Sequence, residues 1–162
     1  MGLALELKMC RPFALAEEEA TLAIFRTAEV LGQRTAELLK RFDVTPVQYN
    51  VLRILQGSPE GLACREISDR LITHDPDVTR LLDRMEARHW IKRKRCSSDR
   101  RVVIACITSA GLELLDSLRP LVTAFHKQQF KDWGEKQVGQ LLDLLQRVRE
   151  TKPQITRRTN ND

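Results

Sequence analysis

Arg80, Arg84 and Arg88 recur every four residues, and Lys92-Arg93-Lys94-Arg95 and Arg100-Arg101 follow close behind. Guanidinium groups at helical spacing suit one task above others, pairing with phosphates or with the acceptor edge of guanine. Between Arg80 and Arg101 nine residues are basic, and only Asp83, Glu86 and Asp99 oppose them. The chain as a whole carries +5, with a pI of about 9.3, so the excess is local. This charge pattern points to a polyanionic partner, double-stranded DNA above all. Catalysis has no comparable signal. The sequence offers no Gly-rich phosphate loop, no paired carboxylates in an apolar setting and no recognisable nucleophile–base arrangement. His74, His89 and His126 stand at no metal-binding spacing, so neither an enzyme nor a cofactor is expected.

Charges reach a groove only if an element presents them. Val78, Leu81, Leu82 and Met85 fall at i, i+3, i+4 and i+7, one apolar face of a helix whose other faces carry Thr79, Arg80 and Arg84. Asp75-Pro76 is the expected start, aspartate as cap and proline at the first helical position. Asp77 is placed either to accept from a cytosine amino group or to pair with Arg80. A short helix around Arg65–Ile72 precedes this one, and a two-stranded ribbon follows from Trp90. The ribbon runs in through Lys92 and Lys94, turns at Cys96-Ser97-Ser98-Asp99, and returns as the β-branched Val102–Ile107. The predicted unit is a winged helix–turn–helix, with a recognition helix for the major groove and a charged ribbon tip, Ser98 with Arg100 and Arg101, beside it. Asp99 is positioned to hold Arg101 in an ion pair and aim it at the narrow groove.

The rest of the chain frames that head. Residues 1–16 read as an extended arm, since Pro12 blocks an early helix. From 17 to 42 a seam of Ile24, Ala28, Leu31, Thr35, Leu38 and Phe42 predicts a long helix. Thr45-Pro46-Val47-Gln48 spells a capping box for a helix to about Gln56, with Val47, Val51, Ile54 and Leu55 inward. After Thr108 or Ser109 a long helix carries Pro120 inside it, breaks near Trp133-Gly134, and is followed by a last helix with Val138, Leu141, Leu142, Leu145 and Val148. Residues 151–162 are polar and predicted to fray. The expected class is mainly α with a small β-hairpin wing (α+β), one domain of 162 residues. The head spans 45–108, and helices 17–42 and 109–150 await a partner. Long apolar seams at both chain ends are most economically buried by a second copy, which predicts a homodimer with two reading heads.

These residues resemble the MarR (multiple-antibiotic-resistance regulator) family over about 20 to 150. The most specific match is Asp99-Arg100-Arg101-Val102-Val103-Ile104-Ala105-Cys106-Ile107-Thr108 followed by Ser109-Ala110-Gly111, which is similar to that family's wing signature. Val78 to Glu86 resembles its recognition helix, and Val44-Thr45-Pro46-Val47-Gln48-Tyr49 its second helix. The resemblance implies a homodimeric repressor on a pseudo-palindromic operator. It also implies a cleft between dimer region and head that takes a small phenolic or lipophilic effector, for which Tyr49, Arg53 and Phe125 are the candidate lining. The chain departs from the pattern at His74-Asp75-Pro76-Asp77 and at His89, where the family has glycine.

Cys10, Cys64, Cys96 and Cys106 form no CxxC pair, and reduced thiols are expected. Some relatives sense oxidants through a cysteine near the first helix, which makes Cys10 the alternative sensor. A winged helix used only for protein docking is the other alternative, against which the basic wing argues. With no membrane-length apolar run and no signal-like N-terminus, a cytoplasmic location is expected.

Overall fold

A computed structural model describes residues 2–73, 77–96, 99 and 101–152. His74, Asp75, Pro76, Ser97, Ser98, Arg100 and the tail beyond 152 lie outside the described residues. The chain divides into two compact units, Met1–Arg119 and Pro120–Asp162.

In the first unit a four-residue helix, α1 (Leu3–Glu6), replaces part of the expected extended arm. Arg26 Nε reaches back to Glu6 Oε1 at 2.8 Å and ties α1 to α2 (Ala16–Lys40). Helix α2 ends in a Schellman exit: Asp43 takes φ 54°, its N–H donates to Lys40 O, and the N–H of Val44 donates to Leu39 O. α3 (Pro46–Gln56) starts with the predicted capping box, Gln48 N–H to Thr45 Oγ1 at 3.2 Å and Thr45 N–H to Gln48 Oε1 at 2.9 Å. Its core face is Gln48, Val51, Leu52 and Leu55, so Leu52 takes the fully buried place expected for Val47 and Ile54, which are half-buried.

The wing differs from the expected ribbon. Leu62–Ala63 forms a short strand, β1, that pairs with β3 (Val103–Ile107), and β3 pairs with β2 (Ile91–Arg95), giving the order β1-β3-β2, all antiparallel. The turn into β1 needs Gly61. Its φ is +87°, and a Cβ there would collide with Cys106 Sγ and lie 2.6 Å from Ala105 O. Between the strands run α4 (Cys64–Arg70), which buries Ile67, and α5 (Val78–Ala87), which buries Val78, Leu81, Leu82 and Met85 as its spacing predicts. α4 has no side-chain cap at Ala63, but Glu66 Oε2 accepts from the Ala63 N–H at 2.8 Å.

β3 leads into α6 (Ser109–Gln129) through Thr108, whose Oγ1 accepts from the Gly111 N–H at 3.1 Å and donates to His89 O at 2.6 Å. Gly111 has no alternative, because a Cβ would run into the Trp90 carbonyl oxygen and lie 2.9 Å from Ile107 Cγ1. α6 continues through Pro120, the first residue of the second unit. In the second unit Phe130 and Trp133 meet edge-on at 5.6 Å. Gly134 caps α7 (Glu135–Glu150), its N–H donating to Gln137 Oε1. No residue of α7 is buried, and Leu142, Leu144 and Val148 are 62%, 59% and 59% exposed. No helix among the described residues is long and apolar enough to cross a membrane.

Candidate nucleic-acid interface

α5 separates two functions by face. Its buried side faces α4 and β2, which fixes Thr79, Arg80, Asp83 and Arg84 on the exposed side. The helix begins two residues later than the expected Asp75-Pro76 start. Asp77 is the N-cap, with Oδ1 accepting from the Arg80 N–H at 3.1 Å, and the same carboxylate holds Arg80 Nε at 3.1 Å through Oδ2. Of the two roles open to Asp77, the structure displays the pairing with Arg80. Because an aspartate can both cap a helix and neutralise a cation, the sequence could not choose between Asp75 and Asp77. The Arg80 side chain remains 80% exposed, and Arg84 is exposed one turn further on.

The basic strand β2 splits by pleat. Lys92 and Lys94 are exposed. Arg93 turns back onto α5, where its guanidinium meets Asp83 Oδ1 at 2.6 Å and Thr79 O at 3.2 Å, and its N–H donates to Glu86 Oε1 at 2.8 Å. Asp83 and Glu86, two of the three acidic residues within the basic stretch, therefore bind wing to helix. At the tip Asp99 does something other than expected. Its Oδ1 accepts the backbone N–H of Arg101 at 2.9 Å, and its carbonyl accepts from Val102, so it shapes the turn. The Arg101 side chain is exposed. Ser98 and Arg100, expected beside it, lie outside the described residues.

Arg88 departs from the arginine row. Its Nη1 donates to Asp43 O at 2.6 Å, its Nη2 meets Asp43 Oδ2 at 2.9 Å, and its guanidinium carbon stands 3.9 Å from the centre of the Trp90 ring. His89, in place of glycine, adopts φ 59° and closes a second Schellman exit, His89 N–H to Glu86 O and Trp90 N–H to Met85 O.

The expected effector residues are divided between the two units. Tyr49 and Arg53 sit one turn apart on α3, half-buried and exposed, while Phe125 in the second unit is half-buried beside the His126 ring at 5.9 Å. Two cavities of the first unit are lined by other residues. One of about 190 Å³ is bounded by Cys64, Thr79, Leu82, Arg93, Val103 and Ala105. Another of about 250 Å³ lies at Ala36, Lys40, Asp43, Val44, Thr45 and Pro46. Cys10 is exposed, Cys64 Sγ lies 3.8 Å from Thr79 Oγ1, Cys106 is buried, and no disulfide joins the four cysteines.

The model of the MarR family matches residues 42–102, which takes in α3, β1, α4, α5 and β2 and ends just before β3. The crystal structure of a MarR transcription factor from Planctomyces limnophilus is 36% identical, with a TM-score of 0.63, over 84% of this chain and 98% of that one. The chain belongs to the MarR family. Another relative, the HTH-type transcriptional regulator TtmR of Methylorubrum extorquens, is 33% identical over 95 residues, 59% of this chain but only 48% of TtmR. The transcriptional repressor CouR, solved bound to a 23-mer DNA duplex, has a TM-score of 0.72 and 25% identity over 86% of this chain and 99% of that one. Membership of the MarR family makes the chain a DNA-binding transcriptional regulator with a winged helix, and not an enzyme.

Proposed function

We propose that this MarR-family regulator is a homodimeric repressor that reads a pseudo-palindromic operator through α5 and steadies itself through the wing. The observation that carries the reading is the split of α5, with Val78, Leu81, Leu82 and Met85 buried and Thr79, Arg80 and Arg84 exposed opposite them. An arginine there can pair bidentately with guanine, and Asp77 acts through Arg80 by holding its Nε. Lys92, Lys94 and Arg101, with Ser98 and Arg100, meet phosphate or the minor groove, where the donor pattern is degenerate. Asp99 serves by shaping the backbone that carries Arg101. The uncovered apolar residues of α7 support pairing with a second copy, and two heads suit a two-fold site. Release by a small phenolic effector at Tyr49, Arg53 and Phe125 rests on family membership alone, as does oxidant sensing at Cys10. The protein works in the cytoplasm, where the operator is.

The test is selection of sites from random duplexes, followed by salt titrations of Arg80→Ala, Arg84→Ala and Arg101→Ala on the selected site and a scrambled duplex. Arg80→Ala and Arg84→Ala are expected to cost about 1–3 kcal/mol on the selected site and to relax one base position each. Arg101→Ala is expected to weaken both duplexes and lower the salt slope by about one. The opposite assignment of losses means that helix and wing have exchanged roles.

A further inference from the structure

We propose that Arg88 is a positioning residue which sets the angle at which α5 meets DNA, by clamping the C-terminal end of α5 to the corner between α2 and α3. This rests on the reading that α5 faces base edges. Besides Lys8 after α1, two helices of the first unit end in left-handed residues that are not glycine, Asp43 after α2 and His89 after α5. Each exit is closed by its own pair of backbone hydrogen bonds, so each is a rigid corner. Arg88 joins the two. It offers Nη1 to the Asp43 carbonyl and Nη2 to the Asp43 carboxylate, 2.6 and 2.9 Å away. From behind, the buried Trp90 ring supports the guanidinium plane at 3.9 Å.

Three fixed directions leave the planar group little freedom. Other ties of α5 run to the wing, through Arg93, to Cys64 of α4, through Thr79, and to the Asp77 cap. With Arg88 in place, α5 therefore takes its orientation from α2 as well as from the sheet. The pair is solvent-facing, Asp43 being 89% exposed, so its contribution to stability is small. What it fixes is direction. A base contact fails when a side chain is misplaced by about 1 Å, whereas phosphate attraction tolerates such an error.

The charge changes make the test discriminating. Arg88→Ala removes a cation, and Asp43→Gly removes an anion while keeping the left-handed corner. If these residues acted on DNA by charge, the two variants would move affinity in opposite directions. A clamp makes both fall on the selected operator. Arg88→Ala is expected to lose about tenfold there and less than about threefold on scrambled duplex. Asp43→Gly, whose backbone carbonyl still accepts from Arg88, is expected to lose less on the operator, and the double variant to be no worse than Arg88→Ala alone. Arg88→Lys, which keeps charge but lacks the fork, is expected to remain defective in the ratio of the two affinities. Binding is measured well below each variant's unfolding midpoint, with the active fraction titrated. Equal loss by Arg88→Ala on both duplexes, with the salt slope lower by about one, makes Arg88 a phosphate ligand and overturns the clamp. So does full recovery of the ratio by Arg88→Lys, or an undiminished ratio for Asp43→Gly. Arg80→Ala run alongside separates the premises: if it keeps the operator preference, the reading of α5 itself is wrong, whatever Arg88 does.

Discussion

α5 and α7 are both amphipathic by sequence, and the chain treats them in opposite ways. Helix α5 is ten residues long and buries all four of its large apolar side chains; α7 is sixteen long and buries none. The period of the apolar residues is equally clear in each. Period therefore reports that a helix has a face to hide, and only packing reports where the cover comes from. For α5 the cover is α4 and the strands of the same chain, which makes its exposed face a rigid surface for reading. For α7 the face is left for something else, and in the proposed dimer that is a second copy.

The contrast can be broken most forcefully at Met85, which is fully buried. Met85→Ala is expected to cost about 2–5 kcal/mol of head stability, with the same loss at low and high protein concentration in denaturant titrations. A loss that depends on concentration would place Met85 in an association surface. Gly111→Ala strikes the junction that holds the head to α6 and is expected to cost about 1–3 kcal/mol, because the Trp90 carbonyl must move. An unchanged thermal midpoint would mean that this approach is not tight. On α7 the expected effect is of another kind. Leu142→Lys should leave the helical circular dichroism intact and weaken self-association roughly tenfold or more in sedimentation, a change of about 1.4 kcal/mol. Unaltered sedimentation would remove the second copy as the cover. The smallest change is a gain: His89→Gly relieves a left-handed side chain at the end of α5 and is expected to stabilise the head by up to about 1 kcal/mol.

What could be read from the sequence follows how local the chemistry is. Thr45, Pro46 and Gln48 state a helix start within four residues, and the structure builds that box. Val78 to Met85 declare a buried face by spacing alone. β1 was invisible, because two residues have no period and their pairing with Ile104 and Ala105 is settled far along the chain. α1 was hidden for a related reason, being a four-residue helix tied to α2 by Glu6 and Arg26. At the interface the arginine row proved half legible. Arg80 and Arg84 stay on the open side, but Arg88 finds Asp43 forty-five residues earlier, and no rule of helical spacing points there. The tandem aspartates at 75 and 77 each satisfy the composition rule for a cap, and only the backbone selects Asp77.

The strand order β1-β3-β2 leaves β2 on the outside of the sheet, an edge open to approach by an extended chain although Glu86 already takes the Arg93 N–H. Its sequence there is Ile91-Lys92-Arg93-Lys94-Arg95, with Lys92, Lys94 and Arg95 exposed. A second strand laid against this border would bring its charges up against these, and two such borders from separate molecules would repel each other. Before any duplex arrives, the cations proposed to draw the wing towards phosphate already guard the protein against edge-to-edge aggregation. Neutralising them to weaken DNA binding would therefore also lower the concentration at which the purified regulator stays dispersed.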